Sequence, residues 1–426
     1  MIYYLFDWLD KAFDFPGAGV FQYISFRAAL AAITSLIIML VFGKPFIRWI
    51  GNKLNMMDTV RTELGLEGAE QKAKTPTMGG LLILAAIVVP TLLFAKLDNV
   101  YVLIMLGTTV WLGMIGFLDD YLKKKRSKDG LAGKYKVLGQ VVLGLAVGLL
   151  IMYHPDITIK EKSQVENYVA VHNVNIESNY DKASAEFAKD PVKSTKTTIP
   201  FVKNNELDYS KIITWMGPWA EKWVWLIYVL VVVFVVTAVS NAANLTDGID
   251  GLATSVAAVN GSALAILAWV SGNIIFANYL NIMFLPNIGE LTIFITAYIG
   301  ATFGFLWWNT HPAEIFMGDT GSLALGGIIA VFAILIRKEL LLPLLCGIYL
   351  IEDLSVIIQT RGCKRYRKKH HLPVGVPVPV ENRPFLMTPL HHHYQKKGIP
   401  EQKVVQRFFI IAILLAVLSI ITLKLR

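Results

Sequence analysis

The stretch "VYVLIMLGTTVWLGMIGFLDDYLKKK", residues 100–125, decides the class of fold. Its apolar run, 100–118, is long enough to cross the roughly 30 Å hydrocarbon core of a bilayer as a helix. It then ends on two adjacent acids, Asp119 and Asp120, followed by Lys123, Lys124, Lys125 and Arg126. The bases suit the cytoplasmic end of a membrane span. The acids need another reason, because carboxylates at a helix C-terminus oppose the helix dipole.

The rest of the chain repeats the apolar pattern. It has 426 residues, 55% of them hydrophobic, with a mean hydropathy of +0.53. An ordinary soluble domain rarely reaches a clearly positive average. Ten apolar blocks run through 24–43, 79–95, 100–118, 137–153, 223–240, 253–272, 291–308, 321–337, 340–359 and 405–424. They lack the alternation of barrel strands. The expected fold is an all-α polytopic membrane protein with ten transmembrane helices. The stretch 274–286 is apolar but short and broken by asparagine, and reads as interfacial or re-entrant.

Ten spans put both termini on one side. The loops 44–78, 119–136, 241–252, 309–320 and 360–404 then share the other side and carry 23 lysines and arginines. The opposing short segments hold few: Lys11, Lys96, Arg337, Lys338 and the terminal Arg426. The base-rich side is therefore expected to be cytoplasmic and both termini periplasmic. Segment 154–222, with nine bases against ten acids, reads as a polar periplasmic insertion in an otherwise single domain spanning 1–426. Its weak β signal at 166–176 suggests a small hairpin. The net charge of +9 is what loops facing anionic lipid require, so the lipid bilayer and no nucleic acid is the expected partner. Cys346 and Cys363 form no paired motif, and the acid-bearing N-terminus does not resemble a cleaved signal peptide. No internal repeat supports a transporter built from inverted repeats.

Five polar motifs fall on the base-rich side: "KAKTPTMGG" (72–80), "LDDYLKKK" (118–125), "NAANLTDGIDGLA" (241–253), "NTHPAEIFMGDTGS" (309–322) and "PLHHHYQKKG" (389–398). In the third, Asn241, Asn244, Asp247 and Asp250 recur every three residues, a spacing that places them along one stripe of a helix. Gly248 and Gly251 permit tight turns and close approach of a ligand. Asp319 is either a helix cap or a carboxylate ligand to a cation. With Asp119, Asp120, Asp247 and Asp250 it makes five carboxylates on one face, an arrangement that calls for a cation. All-oxygen donors with no cysteine favour Mg²⁺ over Zn²⁺. His391, His392 and His393 are adjacent, so they cannot all face one metal on a regular helix, and hydrogen bonding to phosphate is the better expectation. The run 361–371 reads as a solvated basic loop.

The order of these motifs resembles the polyprenyl-phosphate N-acetylhexosamine-1-phosphate transferases over almost the whole chain. Within them, "PLHHHYQKKG" resembles the bacterial phospho-N-acetylmuramoyl-pentapeptide transferases rather than relatives using UDP-N-acetylglucosamine. Segment 154–222 is longer than the family pattern. The resemblance implies transfer from UDP-MurNAc-pentapeptide to undecaprenyl phosphate in the bacterial inner membrane, giving lipid I and UMP for peptidoglycan synthesis. It implies Mg²⁺ held by Asp319, an acceptor phosphate activated by Asp119 beside Asp120, and a basic Lys136 near the phosphates, with Lys134 its competitor. Asp247 and the histidines 391–393 complete the catalytic set. The nucleotide pocket it implies is Lys72, Asn241, Asn244, Gly248, Ile249, Asp250, Asn309 and Phe316, with Phe316 stacking on uracil and Asp250 accepting its N–H. The alternatives are a UDP-N-acetylglucosamine transferase and an ion-coupled transporter. A homodimer is the one protein assembly carried as an expectation.

Overall fold

The computed structural model describes residues 1–54, 75–125, 130–162, 179–187, 190–201, 206–213, 215, 217–373 and 376–424. The apolar blocks appear as helices. An interrupted start, α1 (Ile2–Phe13), precedes α2 (Ile24–Trp49), α3 (Gly80–Phe94), α4 (Val100–Lys125) and α5 (Gly133–Tyr153). A short α6 (Asn179–Glu186) and a two-stranded antiparallel hairpin, β1 (Lys196–Thr198) and β2 (Glu206–Asp208), follow. Then come α7 (Val224–Thr246), α8 (Leu252–Ser271), α9 (Ile274–Leu280), α10 (Leu291–Asn309) and α11 (Gly318–Leu335). The chain ends with α12 (Leu342–Leu345), α13 (Gly347–Lys369), α14 (Leu390–Lys396) and α15 (Glu401–Ile421).

Among the described residues, eight helices are long and apolar enough to cross a membrane: α2, α4, α5, α7, α8, α10, α11 and α15. The other two expected spans differ in form. Helix α3 has 15 residues and reaches only about 22 Å at 1.5 Å per residue. The block 340–359 is broken, with Glu339–Leu345 and Gly347–Lys369 meeting at 79°. The protein is therefore a polytopic helical membrane protein in which eight spans, or nine counting the broken pair, meet the length and composition of a crossing. Within 154–222 an antiparallel strand pair lies at 196–208. The stretch 166–176 lies outside the described residues. Within 274–286 only Ile274–Leu280 is helical, as the short α9, capped by Asn273 Oδ1, which accepts from the N–H groups of Ile275 and Phe276.

Helix α11 is the axis of the bundle. Every residue from Thr320 to Leu335 is buried, with α4 and α7 packed along it. Gly116 of α4 lets the two backbones approach closely: a Cβ there would lie 2.3 Å from the Asp319 carbonyl oxygen. This contact brings the last turns of α4, and so Asp119 and Asp120, against the first turn of α11. The outer helices instead expose apolar side chains such as Leu230, Phe234, Trp307 and Ile410, as surfaces in contact with lipid tails do.

Candidate active site

Three acids meet where α4 crosses α11. Asp119, Asp120 and Asp319 each present an oxygen, all within 4.8 Å of one another. Two ammonium groups enter the cluster. Lys123 Nζ lies 2.6 Å from Asp119 Oδ2, 3.1 Å from Asp319 Oδ2 and 4.0 Å from Asp120 Oδ1. Lys136 Nζ lies 2.9 Å from Asp119 Oδ2 and also pairs with Asp319 Oδ2. Lys134, the competitor, sits over the Tyr135 ring instead. The loop before α5 supplies another donor, the Leu131 N–H, 2.7 Å from Asp119 Oδ1.

The neighbours Asp119 and Asp120 have different jobs. Asp120 Oδ1 accepts the Asp319 N–H at 3.1 Å, and its Oδ2 accepts the Thr320 N–H and hydroxyl at 2.9 and 2.6 Å. These N–H groups belong to the first turn of α11, which lacks intrahelical partners. Met317, in the N-cap position, offers no side-chain bond, so a residue of α4 caps α11 from outside. Asp119 faces the ammonium groups. Asp319 is held from its other side by Asn244, whose Nδ2 donates to Asp319 Oδ1 at 2.9 Å and to Ser322 Oγ at 2.8 Å. The all-oxygen carboxylate cluster fits a hard divalent cation.

The stripe expected over 241–250 is only half present. Helix α7 ends at Thr246, so Asn241 and Asn244 share it while Asp247, Gly248, Ile249 and Asp250 form the turn into α8. DGIDG favours a turn because its glycines weaken the helix. Asn241 is drawn away from the acids and donates to Gln140 Oε1 at 2.8 Å. Gly248 is exposed and Ile249 is buried beneath the turn. Asp250 makes a second corner: its Oδ2 lies 2.8 Å from His311 Nδ1, and its N–H donates to Glu401 Oε1 at 2.7 Å. These three residues form a second group whose ligand atoms lie within 4.8 Å of one another. The five aspartates thus split into one trio and a separate turn.

Asn309 is 2% exposed and braces the loop before α11, accepting from Thr254 and donating to the Ile315 carbonyl. Phe316 is half-buried there, its N–H bonded to Pro76 O. This pairing joins the 72–80 and 309–322 motifs. Lys72 lies outside the described residues.

The three histidines diverge, as adjacency requires. His391 is fully buried, its Nδ1 lying 3.1 Å from Glu352 Oε2. His392 Nδ1 pairs with Gln395 Oε1 at 2.7 Å. His393 Nδ1 accepts the Leu386 N–H, and burial with the nearby Lys397 charge holds its imidazole below the usual range. By sequence Lys123 reads as a topology charge alone, and Glu352, His311 and Glu401 are not among the expected site residues. The signal for Glu352 was a carboxylate inside an apolar block. His311 lies inside the 309–322 motif, but its spacing names no partner, and Glu401 carries no local signal.

Comparison with known proteins places these motifs. Residues 195–337 match the model of glycosyl transferase family 4, and residues 72–84 match the phospho-N-acetylmuramoyl-pentapeptide-transferase signature 1. Curated phospho-N-acetylmuramoyl-pentapeptide-transferases from Flavobacterium psychrophilum, Flavobacterium johnsoniae and Parabacteroides distasonis are 54%, 52% and 51% identical to this chain. Each alignment covers all of both chains. The resemblance carried by the five motifs extends over the full length, and the chain belongs to the phospho-N-acetylmuramoyl-pentapeptide-transferase family.

Proposed function

We propose that the chain transfers phospho-MurNAc-pentapeptide from UDP-MurNAc-pentapeptide to undecaprenyl phosphate, leaving lipid I in the membrane and releasing UMP. The observation that carries this reading is the trio Asp119, Asp120 and Asp319, with two lysines, at one end of the bundle. An oxygen of the acceptor phosphate forms a bond to the β-phosphorus of the nucleotide sugar. The bond from that phosphorus to the bridging oxygen breaks, and the bridging oxygen leaves with UMP.

Such a transfer depends on positioning and on neutralising charge. A phosphate monoester with a second pKa of about 6 is mostly ionised near neutrality. Asp119 therefore needs to orient the acceptor rather than act as a strong base. Lys136 and Lys123 hold the phosphates against their mutual repulsion. Asp120 and Asn244 fix Asp319 from two sides. Asp119 and Asp319 are the groups that would hold Mg²⁺, which when bound supplies charge neutralisation on the pyrophosphate. The turn Asp247–Asp250 and Phe316 take the nucleotide, and His392 and His393 lie on the sugar side.

In the membrane, the charge asymmetry supports ten crossings in the bacterial inner membrane, with α3 and the broken α12–α13 pair counted, termini periplasmic and the site cytoplasmic. The chain then acts as one transferase unit with 154–222 outside. The acids lie at the ends of α4 and α11 rather than mid-span, which argues against an ion-coupled transporter. The test supplies purified protein with undecaprenyl phosphate, Mg²⁺ and either UDP-MurNAc-pentapeptide or UDP-N-acetylglucosamine. UMP is expected with the first donor. UMP from the second alone overturns the donor assignment.

A further inference from the structure

We propose that Glu352 is a positioning residue for the nucleotide-binding turn, acting through His391. The inference rests on the reading of Asp247–Asp250 as that turn.

Glu352 lies on the inward face of α13 with Ile348, Tyr349 and Ser355, while Leu350, Ile351 and Leu354 face outward. It is 0% exposed. A carboxylate enclosed in an apolar helix is costly unless its oxygens are used. Here they are used by one residue. Both oxygens accept the His391 N–H, at 3.2 and 3.3 Å, and Oε2 lies 3.1 Å from His391 Nδ1. His391 stands in the first turn of α14, where backbone N–H groups lack helical partners. Pro389, its N-cap, offers no side-chain bond. Glu352 therefore caps α14 from another helix, as Asp120 caps α11.

The capped residue reaches the turn. The edge of the His391 ring fills the space beside Gly248: a Cβ on Gly248 would lie 2.3 Å from His391 Nε2 and 2.9 Å from Cε1. Only glycine admits the ring there. A second link runs from the same short helix, with Gln395 Nε2 donating to Glu401 Oε2 and Glu401 Oε1 accepting the Asp250 N–H. Helix α14 thus touches the turn at Gly248 and, through Glu401, at Asp250. Glu352 ties that helix to the bundle. His391, fully buried, is a strut under the turn and not a group that meets substrate.

The claim predicts a split between kinetic constants, because misplacing the turn weakens nucleotide binding more than the chemical step. At saturating undecaprenyl phosphate, Glu352→Ala is expected to raise KM for UDP-MurNAc-pentapeptide at least tenfold and to change kcat less than threefold. Glu352→Gln still offers an oxygen to the His391 N–H and an amide to Nδ1, and is expected to restore both constants to within threefold. The double variant Glu352→Ala/His391→Ala is expected within twofold of the worse single variant. A fall in kcat at unchanged KM, a multiplicative double variant, or a Gln variant as damaged as Ala overturns the proposal. If Glu352→Ala does not fold, Glu352→Asp replaces it, with the same split expected and the same results decisive. Asp250→Asn separates the underlying reading: unchanged KM there removes the nucleotide turn itself, whereas a raised KM there with none in Glu352→Ala removes only the role of Glu352.

Discussion

Two buried clusters of charge sit at opposite ends of α11, and they are built on different terms. At its C-terminal end lie Arg337, Lys338 and Glu339, each no more than 3% exposed. Their partners are mostly neutral and fixed. Lys338 Nζ donates to Thr198 Oγ1 at 2.7 Å, Tyr209 OH donates to Glu339 Oε1 at 3.1 Å, and Arg337 lies over the Tyr228 ring. Strand β1 closes the cluster, with the Thr198 N–H and Thr197 hydroxyl donating to the Arg337 carbonyl. At the N-terminal end, Asp119 and Asp319 are held by Lys123 and Lys136, whose side chains stay 32% and 16% exposed. A hydroxyl or carbonyl in a packed hairpin cannot follow a ligand, whereas a lysine on a flexible stem can. The closed cluster locks the insertion to the bundle. The open one keeps its carboxylates available.

The two ends are expected to differ most at Asp319. Asp319→Asn is expected to lower UMP formation by about 100-fold or more, the scale of losing a group that stabilises developing charge. Its melting temperature in detergent should stay close to that of the parent. An active Asp319→Asn enzyme would make the two ends equivalent, both structural.

Asp120 sharpens the contrast inside the open cluster. As the cap of α11 it should matter to both function and folding. Asp120→Ala is expected to lower UMP formation roughly tenfold, less than Asp319→Asn, and to cost about 1–2 kcal/mol of stability through the lost cap. Thermal unfolding and UMP release on the same preparation separate the two effects. Unchanged stability would show that Asp120 does not cap α11.

The candidate site is legible in the sequence where its chemistry leaves a local mark. Asp119, Asp120 and Asp319 stand out because carboxylates at the ends of apolar blocks are costly unless something pairs with them. The division of labour between Asp119 and Asp120 was not legible, since neighbours in sequence look alike until α11 packs against α4 at Gly116. Spacing of three suggested a stripe over 241–250, but the stripe assumed a helix that the two DG pairs end. The apolar blocks marked the helices well. Hydropathy reports length and not direction, so the 79° break before α13 and the shortness of α3 emerged only in three dimensions. The partners of Glu352 and Glu401 lie 39 and 151 residues away, so a carboxylate inside an apolar block marks Glu352 locally but does not name what it holds, and nothing local marks Glu401.

The closed cluster yields smaller effects, on stability alone. Tyr209→Phe removes the donor to Glu339 and should cost about 1 kcal/mol of stability with UMP release per folded molecule unchanged. Lys338 provides the subtlest test. Complete burial pushes its ammonium down to about 8, against the ordinary lysine value of 10.5. The folded protein therefore gives up this proton at lower pH than the unfolded chain does. Between pH 8 and 10.5 the unfolded chain binds more protons, so this group makes stability rise with pH across that window. Lys338→Met has no proton to lose and serves as the reference. The melting temperature of the parent, measured against Lys338→Met, should climb as pH is raised from 7 to 9.5. A flat or falling difference would mean that Lys338 keeps its charge when folded, and that the cluster is an ion pair rather than a lysine held by a hydroxyl.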